Sequence, residues 1–252
     1  MRITILQTDA KWACPDVNVA AAEALIESAP QSDLYVLPEM WATGFAATTP
    51  DVACTNAPLR WMQIAAKRKD AAVCGGGAVK EDDGTYRNRL YFVTPDGMTE
   101  YYDKRHLFTP GGEHLHYTPG SRRIVINYRG VRFLLLTCYD LRFPAWMRYD
   151  GDYDAIIFAA NWPESRQEVW LTLLKARAIE NQCYVIGANR IGHDPQCTYA
   201  GGSAIITPKG NIIATDNRQE AQTVTADIDM EELRNFRAKF PVLDDRDTVI
   251  LT

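Results

Sequence analysis

No apolar run in this sequence approaches the roughly 20 residues that a membrane-crossing helix needs, so no helical span is expected. Low-complexity tracts, internal repeats and linkers are absent as well, which points away from solenoids and disordered tethers. The six cysteines, at 14, 54, 74, 138, 183 and 197, form no CxxC pair and are scattered through apolar segments. They read as reduced thiols, not as a disulfide framework or a zinc knuckle. Positive charge is not in surplus: 27 Lys and Arg face 32 Asp and Glu, for a net charge of −5. That argues against a surface that tracks phosphates, so nucleic acid is not an expected partner. Lys67-Arg68-Lys69 is the visible basic run, and it suits the end of a helix, where cations complement the dipole. The opening Met1-Arg2-Ile3-Thr4-Ile5-Leu6 alternates like a strand and lacks the apolar core of a secretory leader, so the expected location is the cytoplasm.

What is present is ample apolar material: 46% of 252 residues are hydrophobic, enough for one large domain with a sizeable core. Asp16 can cap a helix with Val17, Ala20, Ala21, Ala24 and Leu25 along its face. Strands are expected at 33–37, 72–79, 89–94 and 99–102, with a helix over about 59–67. Strands 124–128 and 131–137 meet at Arg129-Gly130 as a hairpin. A short helix near Pro144 precedes a strand over 154–159. The spacing then predicts a helix over 165–181, opened by a capping box from Ser165 to Glu168, with Trp170, Leu173, Leu174 and Arg177 along one face. Strands at 184–188, 203–207, 211–214 and 223–228 and a helix over 230–239 complete the pattern. Such alternation implies an α/β arrangement, a mixed sheet system with helices on its outer faces.

Three expected strand ends finish on reactive groups. The run Val131-Arg132-Phe133-Leu134-Leu135-Leu136-Thr137 stops at Cys138, Leu37-Pro38 leads to Glu39, and Tyr101-Tyr102-Asp103 leads to Lys104. Carboxyl ends of strands are where α/β proteins place chemistry. Together these residues offer a nucleophile, a base and a cation. A thiol becomes nucleophilic as the thiolate, which a nearby cation such as Lys104 or the helix after Pro144 would favour. Glu39 could take the thiol proton and later activate water. Lys104 and the backbone N–H of Tyr139 could stabilise an oxyanion. Singly, a cysteine closing a strand is more often a core residue, and a lone Glu or Lys there is a solvated end.

Longer segments carry more. Leu37-Pro38-Glu39-Met40-Trp41-Ala42-Thr43-Gly44-Phe45, Tyr102-Asp103-Lys104-Arg105-His106-Leu107-Phe108 and Cys138-Tyr139-Asp140-Leu141-Arg142-Phe143-Pro144 resemble, in order and separation, the three signature blocks of the nitrilase, or carbon–nitrogen hydrolase, superfamily. Ala160-Asn161-Trp162-Pro163, Arg177-Ala178-Ile179-Glu180-Asn181 and Gly201-Gly202-Ser203 agree with it, and the likeness runs from Ile3 to about Ile228. The resemblance implies a single-domain, four-layer α-β-β-α sandwich with a Glu39, Lys104 and Cys138 triad. It also implies that Glu113 is a second active-site glutamate that orients the lysine, and that no metal or organic cofactor is used. A homodimer or larger assembly follows from it too. On this reading residues 1–239 form the hydrolase domain. The tail 240–252, apolar at Val249-Ile250-Leu251, then packs at a subunit interface. Many members carry Glu after the proline of the cysteine block, where this chain has Ala145 and then Trp146. With Gly112-Glu113-His114-Leu115-His116-Tyr117, that departure resembles the bacterial omega-amidase branch, which deamidates 2-oxoglutaramate and 2-oxosuccinamate.

Such a substrate carries a carboxylate some distance from its amide, and capture of that group favours an arginine fork. Arg166, at the start of the 165–181 helix, is the preferred anchor, and Arg142 is read as a structural partner of Asp140 or of a nearby loop. Phe45, Tyr139, Asn161 and Trp162 are candidate pocket residues. Hydrolysis of N-carbamoyl compounds or other short amides is the near alternative. A zinc hydrolase using His114, His116, His193 and Cys197 lacks recognisable ligand spacing. A catalytically silent scaffold would be expected to have lost a triad residue, and none is missing.

Overall fold

The computed structural model describes residues 1–216 and 220–248, without the side chain of Val52. In chain order the elements are β1 (Arg2–Gln7), α1 (Pro15–Ser28), β2 (Leu34–Val36), the single turn α2 (Pro50–Ala53), α3 (Ala57–Lys69), β3 (Ala72–Lys80), β4 (Tyr86–Val93) and β5 (Thr99–Asp103). Then follow β6 (Val125–Tyr128), β7 (Val131–Thr137), β8 (Ala155–Ala160), α4 (Gln167–Glu180), β9 (Tyr184–Asn189), β10 (Ile191–His193) and β11 (Thr198–Ala200). β12 (Ser203–Ile206), β13 (Ile212–Asp216), β14 (Gln222–Asp227) and α5 (Met230–Lys239) close the series.

Twelve of these strands form two six-stranded mixed sheets, ordered β14-β1-β2-β3-β4-β5 and β13-β12-β9-β8-β7-β6, and β10 and β11 pair separately. Strand periodicity explains how they stack. Ile3 and Ile5 of β1, Leu34 and Val36 of β2, and Leu90 and Phe92 of β4 belong to one apolar cluster with Phe133, Leu134, Ile156 and Ile186 of the other sheet. Their sequence neighbours Leu6, Tyr35 and Val73 face the opposite way and pack with Ala22 and Ile26 of α1 and Met62, Ala65 and Ala66 of α3. On the far side, Trp170 and Leu174 of α4 cover the second sheet. The result is the α-β-β-α sandwich that the resemblance implied. Strands β7, β8 and β9 run parallel and are buried on both faces, which is why they read as unbroken apolar runs.

Most expected elements lie within a few residues of those observed, and three local readings differ. The buried stripe of α1 is Asn18, Ala22 and Ile26, while Val17, Ala20 and Ala24 are exposed. An alanine-rich helix is apolar all round, so its periodicity does not select a face. Its N-cap is Cys14, and Asp16 lies inside the first turn without capping it. The capping box at Ser165 does not form either: a 3₁₀ turn over Glu164–Arg166 takes up that stretch, and α4 starts at Gln167 with Arg166 as its N-cap residue. A side-chain cap does open α5, where Asp229 accepts from the backbone N–H of Glu231 at 2.8 Å and Glu232 at 3.1 Å. The basic run at the end of α3 ties two helices together: Arg68 pairs with Glu23 and Glu27 of α1, and Lys69 with Glu27.

Beyond α5, a 3₁₀ turn over Val242–Asp245 buries Leu243, and Gln182 donates to the carbonyl of Phe240 at 2.8 Å. Phe240 and Val242 remain exposed. The apolar Val249-Ile250-Leu251 segment lies outside the described residues.

Candidate active site

The two sheets bring four loop starts to one end of the sandwich. Lys104 directly follows β5, Cys138 directly follows β7, Asn161 directly follows β8, and Glu39 lies three residues beyond β2. Because β7 and β8 are parallel with Thr137 opposite Ala159, their ends are neighbours, and the Cys138 thiol lies 3.9 Å from the carbonyl oxygen of Asn161. The loop of Glu39 can lie flat against β3 because Gly76 has no side chain. A Cβ there would meet the Met40 nitrogen at 3.0 Å and the Glu39 Cα at 3.1 Å.

Lys104 Nζ donates to Glu39 Oε1 at 2.8 Å and to Glu113 Oε2 at 2.9 Å, and all three side chains are fully buried. Asn88, on β4, joins the two carboxylates by donating to Glu39 Oε1 and Glu113 Oε1, each at 2.7 Å. Asn161 donates its backbone N–H to Glu39 Oε2 at 3.0 Å, and its side-chain amide to the Glu39 carbonyl at 2.7 Å. The Phe108 N–H completes the coordination of Glu113 at 2.6 Å. Buried charges are tolerated only when paired and hydrogen-bonded in this way.

The same environment sets proton affinities. Burial alone would raise Glu39, but the Lys104 charge and the hydrogen bonds from Lys104, Asn88 and Asn161 hold it below the ordinary carboxylate range. Burial alone would lower Lys104, yet Glu113 and Glu39 outweigh it and keep the ammonium protonated well above its usual range. For Cys138, burial and the Glu39 carboxylate push the thiol well up, and the opposing effect of Lys104 is smaller. This corrects the expectation that the lysine and a following helix favour a resting thiolate. The turn over Pro144–Met147 is separate from Cys138, which itself opens a 3₁₀ turn over Cys138–Arg142. The resting sulfur is a thiol with a carboxylate base close by.

Cys138 has φ of 43°, a left-handed conformation that costs a non-glycine residue about 1–2 kcal/mol. It is buried, with 9% of its surface exposed, and lines a pocket that is open to solvent. Phe45, Tyr139, Asn161, Trp162 and Arg166 line that pocket, so all five sequence-predicted pocket residues meet there. The Tyr139 N–H is the second in a 3₁₀ turn, a position with no acceptor inside the turn.

Two of these placements differ from expectation. Asn161 commits its amide to Glu39, so it holds the carboxylate as well as bordering the pocket. Arg142 is not a partner of Asp140. It lines the pocket with its guanidinium 5.0 Å from the centre of the Trp162 ring, while Arg166 lies 5.6 Å from that of Phe108. Asp140 is instead saturated by Tyr102, Thr137 and His106. Among the described residues, neither pocket arginine has a carboxylate partner.

Sequence reasoning missed Asn88, although the inward alternation of Asn88, Leu90 and Phe92 marks a polar residue on a core face. It also missed the β10–β11 hairpin, which supplies Gln196, Cys197 and Tyr199 to the pocket wall. His114 and His116 are exposed on the turn beside Glu113. Among the described residues no cluster of three or more His, Cys, Asp and Glu is arranged to hold a metal ion.

Comparison with known proteins gives the chain its relatives. The chain is 42% identical over 250 residues to an omega-amidase, YafV, of Escherichia coli K12, covering 98% of this chain and 97% of the relative. It is 36% identical over 251 residues to a 2-oxoglutaramate amidase of Bacillus subtilis, covering 96% of each. Among solved structures, a CN-hydrolase superfamily protein of Xanthomonas campestris with an arsenic adduct in its active site superposes with a TM-score of 0.95. That protein is 39% identical, with 100% of this chain and 99% of the other covered. Nit3 of Saccharomyces cerevisiae shares the fold at a TM-score of 0.86 and 21% identity, covering 96% of this chain and 94% of the other. The family profile for carbon–nitrogen hydrolases matches residues 2–238, almost the whole of the two-sheet body, and with it the chain belongs to the carbon–nitrogen hydrolase family.

Proposed function

We propose that this protein is a thiol amidase that hydrolyses the omega-amide of a small dicarboxylic acid, 2-oxoglutaramate or 2-oxosuccinamate, to the acid and ammonia. The observation that carries the substrate class is the pair of guanidinium groups, Arg142 and Arg166, left without carboxylate partners among the described residues in the pocket that ends on the Cys138 thiol. A carboxylate offers such groups charge-assisted, bidentate bonds, and a neutral amide offers them little. Likeness to an omega-amidase and to a 2-oxoglutaramate amidase over almost the full chain supports the same reading.

In this mechanism Glu39 takes the thiol proton as Cys138 sulfur attacks the amide carbon. The tetrahedral oxyanion is stabilised by Lys104 Nζ and the Tyr139 N–H. The proton passes from Glu39 to the leaving nitrogen, the C–N bond breaks, and ammonia departs from a thioester. Water then gives its proton to Glu39 and attacks the thioester carbon. Collapse of this second intermediate releases the acid and restores the thiol. Glu113 holds Lys104 in place and shares its charge. A raised thiol pKa suits this sequence, because the proton needed by the leaving amine is stored on sulfur until attack.

Residues 1–239 serve as the catalytic domain in this proposal, and the tail from 240 as part of a homodimer contact, with exposed Phe240 and Val242 as its apolar anchors. The cytoplasm is the proposed location.

Ammonia release from 2-oxoglutaramate, 2-oxosuccinamate, glutamine, an N-carbamoyl amino acid and an uncharged short amide tests the reading. The two oxo-acid amides should be preferred, and Cys138→Ala should abolish turnover by ~10⁴-fold or more while leaving the fold intact. Preference for the uncharged amide would remove the substrate assignment. Retained turnover in the Cys138 variant would remove the nucleophile.

A further inference from the structure

Directly behind the nucleophile lies a second buried polar group that takes no part in the steps above. The carboxylate of Asp140, fully buried, accepts four hydrogen bonds. Oδ2 takes the Tyr102 hydroxyl at 2.8 Å and the Thr137 N–H at 3.0 Å. Oδ1 takes the His106 N–H at 2.9 Å and His106 Nδ1 at 2.8 Å. A carboxylate oxygen that already accepts from the main chain requires the imidazole to act as donor, so the proton sits on Nδ1. The Tyr102 hydroxyl in turn accepts from the Arg105 N–H at 3.0 Å and from Trp146 Nε1 at 3.1 Å.

These bonds join two segments from different sheets. Tyr102 of β5 and Arg105 and His106 on the loop after it flank Lys104, and Thr137, the last residue of β7, and Asp140 on the turn after it flank Cys138. The His106 ring stacks on Phe143 at 3.9 Å and 10° between planes, and Phe143 meets Tyr139 edge to face at 5.1 Å. Thus both the separation of ammonium from sulfur and the direction of the Tyr139 N–H run through this cluster. The left-handed φ of Cys138 adds a reason for it, since a strained residue keeps its conformation only when its surroundings over-determine it.

We propose that Asp140 and His106 are positioning residues, which clamp the Lys104 loop to the Cys138 turn and so hold the oxyanion donors at the working distance from the nucleophile. The donor on His106 is the part of the clamp that a side-chain substitution can remove without touching the pocket wall or the Glu39–Lys104–Glu113 cluster. The inference rests on Cys138 being the nucleophile, and Cys138→Ala assayed in parallel reports separately on that reading.

Two His106 variants separate hydrogen bonding from packing. His106→Asn places an amide donor where Nδ1 was and gives up the stack on Phe143. His106→Phe keeps a ring against Phe143 and gives up the donor. The clamp predicts that His106→Phe lowers kcat for 2-oxoglutaramate about tenfold or more at unchanged KM, while His106→Asn stays within about threefold of the parent. Alkylation of Cys138 by iodoacetamide should be altered in the Phe variant and close to parental in the Asn variant, which gives a readout independent of substrate. Asp140→Asn, which sets an amide donor against N–H groups, should lower kcat further than His106→Phe. Parental kcat in His106→Phe, equal losses in both His106 variants, or a loss confined to KM would each overturn the proposal.

Discussion

The floor of the site and its walls treat charge in opposite ways. At the floor, Glu39, Lys104 and Glu113 are fully buried and bonded to one another, to Asn88 and to Asn161. On the walls, Arg142 and Arg166 are half-buried against Trp162 and Phe108 and pair with no carboxylate among the described residues. Under the proposed mechanism the reacting groups are satisfied before substrate arrives, so little reorganisation remains to be done during the reaction. Under the same proposal the wall guanidinium groups, which have no carboxylate partner among the described residues, receive one from an anion entering the pocket. A paired floor implies rigidity and a stability role, and unpaired walls imply specificity.

The sharpest way to break the comparison is at the floor. Lys104→Ala leaves two carboxyl groups buried without their cation and should destabilise the protein by about 3–5 kcal/mol, besides abolishing turnover. Urea unfolding checks this, and a loss below ~1 kcal/mol would mean that the trio is not electrostatically coupled to folding. The sign with pH follows from the shifts. Glu39 is held below its ordinary 4.5, so its contribution is complete above that pH and is lost as acid protonates the folded form. Lys104 is held above its ordinary 10.5, so its contribution is complete below that value and is lost as alkali removes the proton.

A middle-sized effect belongs to the walls. Arg142→Ala and Arg166→Ala should each lower kcat/KM for an oxo-acid amide by about 10–100-fold, the worth of a charge-assisted hydrogen bond. An uncharged short amide should be hardly affected, and stability should change by less than ~1 kcal/mol. Equal losses on charged and uncharged substrates would show that these arginines support structure in the manner of the floor.

The smallest effect concerns the sulfur. A free cysteine with a pKa near ~8.5 approaches a plateau in alkylation rate by about pH 9.5. Because burial and Glu39 push the Cys138 thiol well above its usual range, its alkylation should still be climbing at that pH. A plateau below pH 8 would mean that Lys104 dominates and that the enzyme rests as an ion pair.

Much of this site is legible in the chain. Glu39 and Cys138 each follow a recognisable apolar run and Lys104 follows a tyrosine-bearing strand, and loop starts after strands are where both reading and folding place reactive groups. Glu113 is less legible, because it sits in a 3₁₀ turn with no periodicity and only its neighbourhood of glycine and histidine marks it. Sequence proximity makes Arg142 a partner of Asp140 or of a nearby loop. That acid turned out to face Tyr102 and His106, which reach it from the other sheet. The Ser165 cap failed for a comparable reason: the Trp162 indole N–H takes the carbonyl of Arg166 at 2.8 Å, tying the segment as a 3₁₀ turn that a linear motif cannot register.

By itself the sequence determined most of the segments that become strands, with β10 and β11 as exceptions, that two faces of apolar residues had to be covered, and that a thiol, a carboxylate and an ammonium stand at strand ends. These follow from periodicity and local backbone preference, which act over a few residues. Only the tertiary structure decided that Asn88 would bridge two carboxylates, that burial and Glu39 would push the thiol's proton affinity up, and that two arginines would meet in one pocket with no carboxylate partner among the described residues. Each of these depends on the distance between residues from separate strands and on the exclusion of water between them. Neither quantity exists until the two sheets have packed.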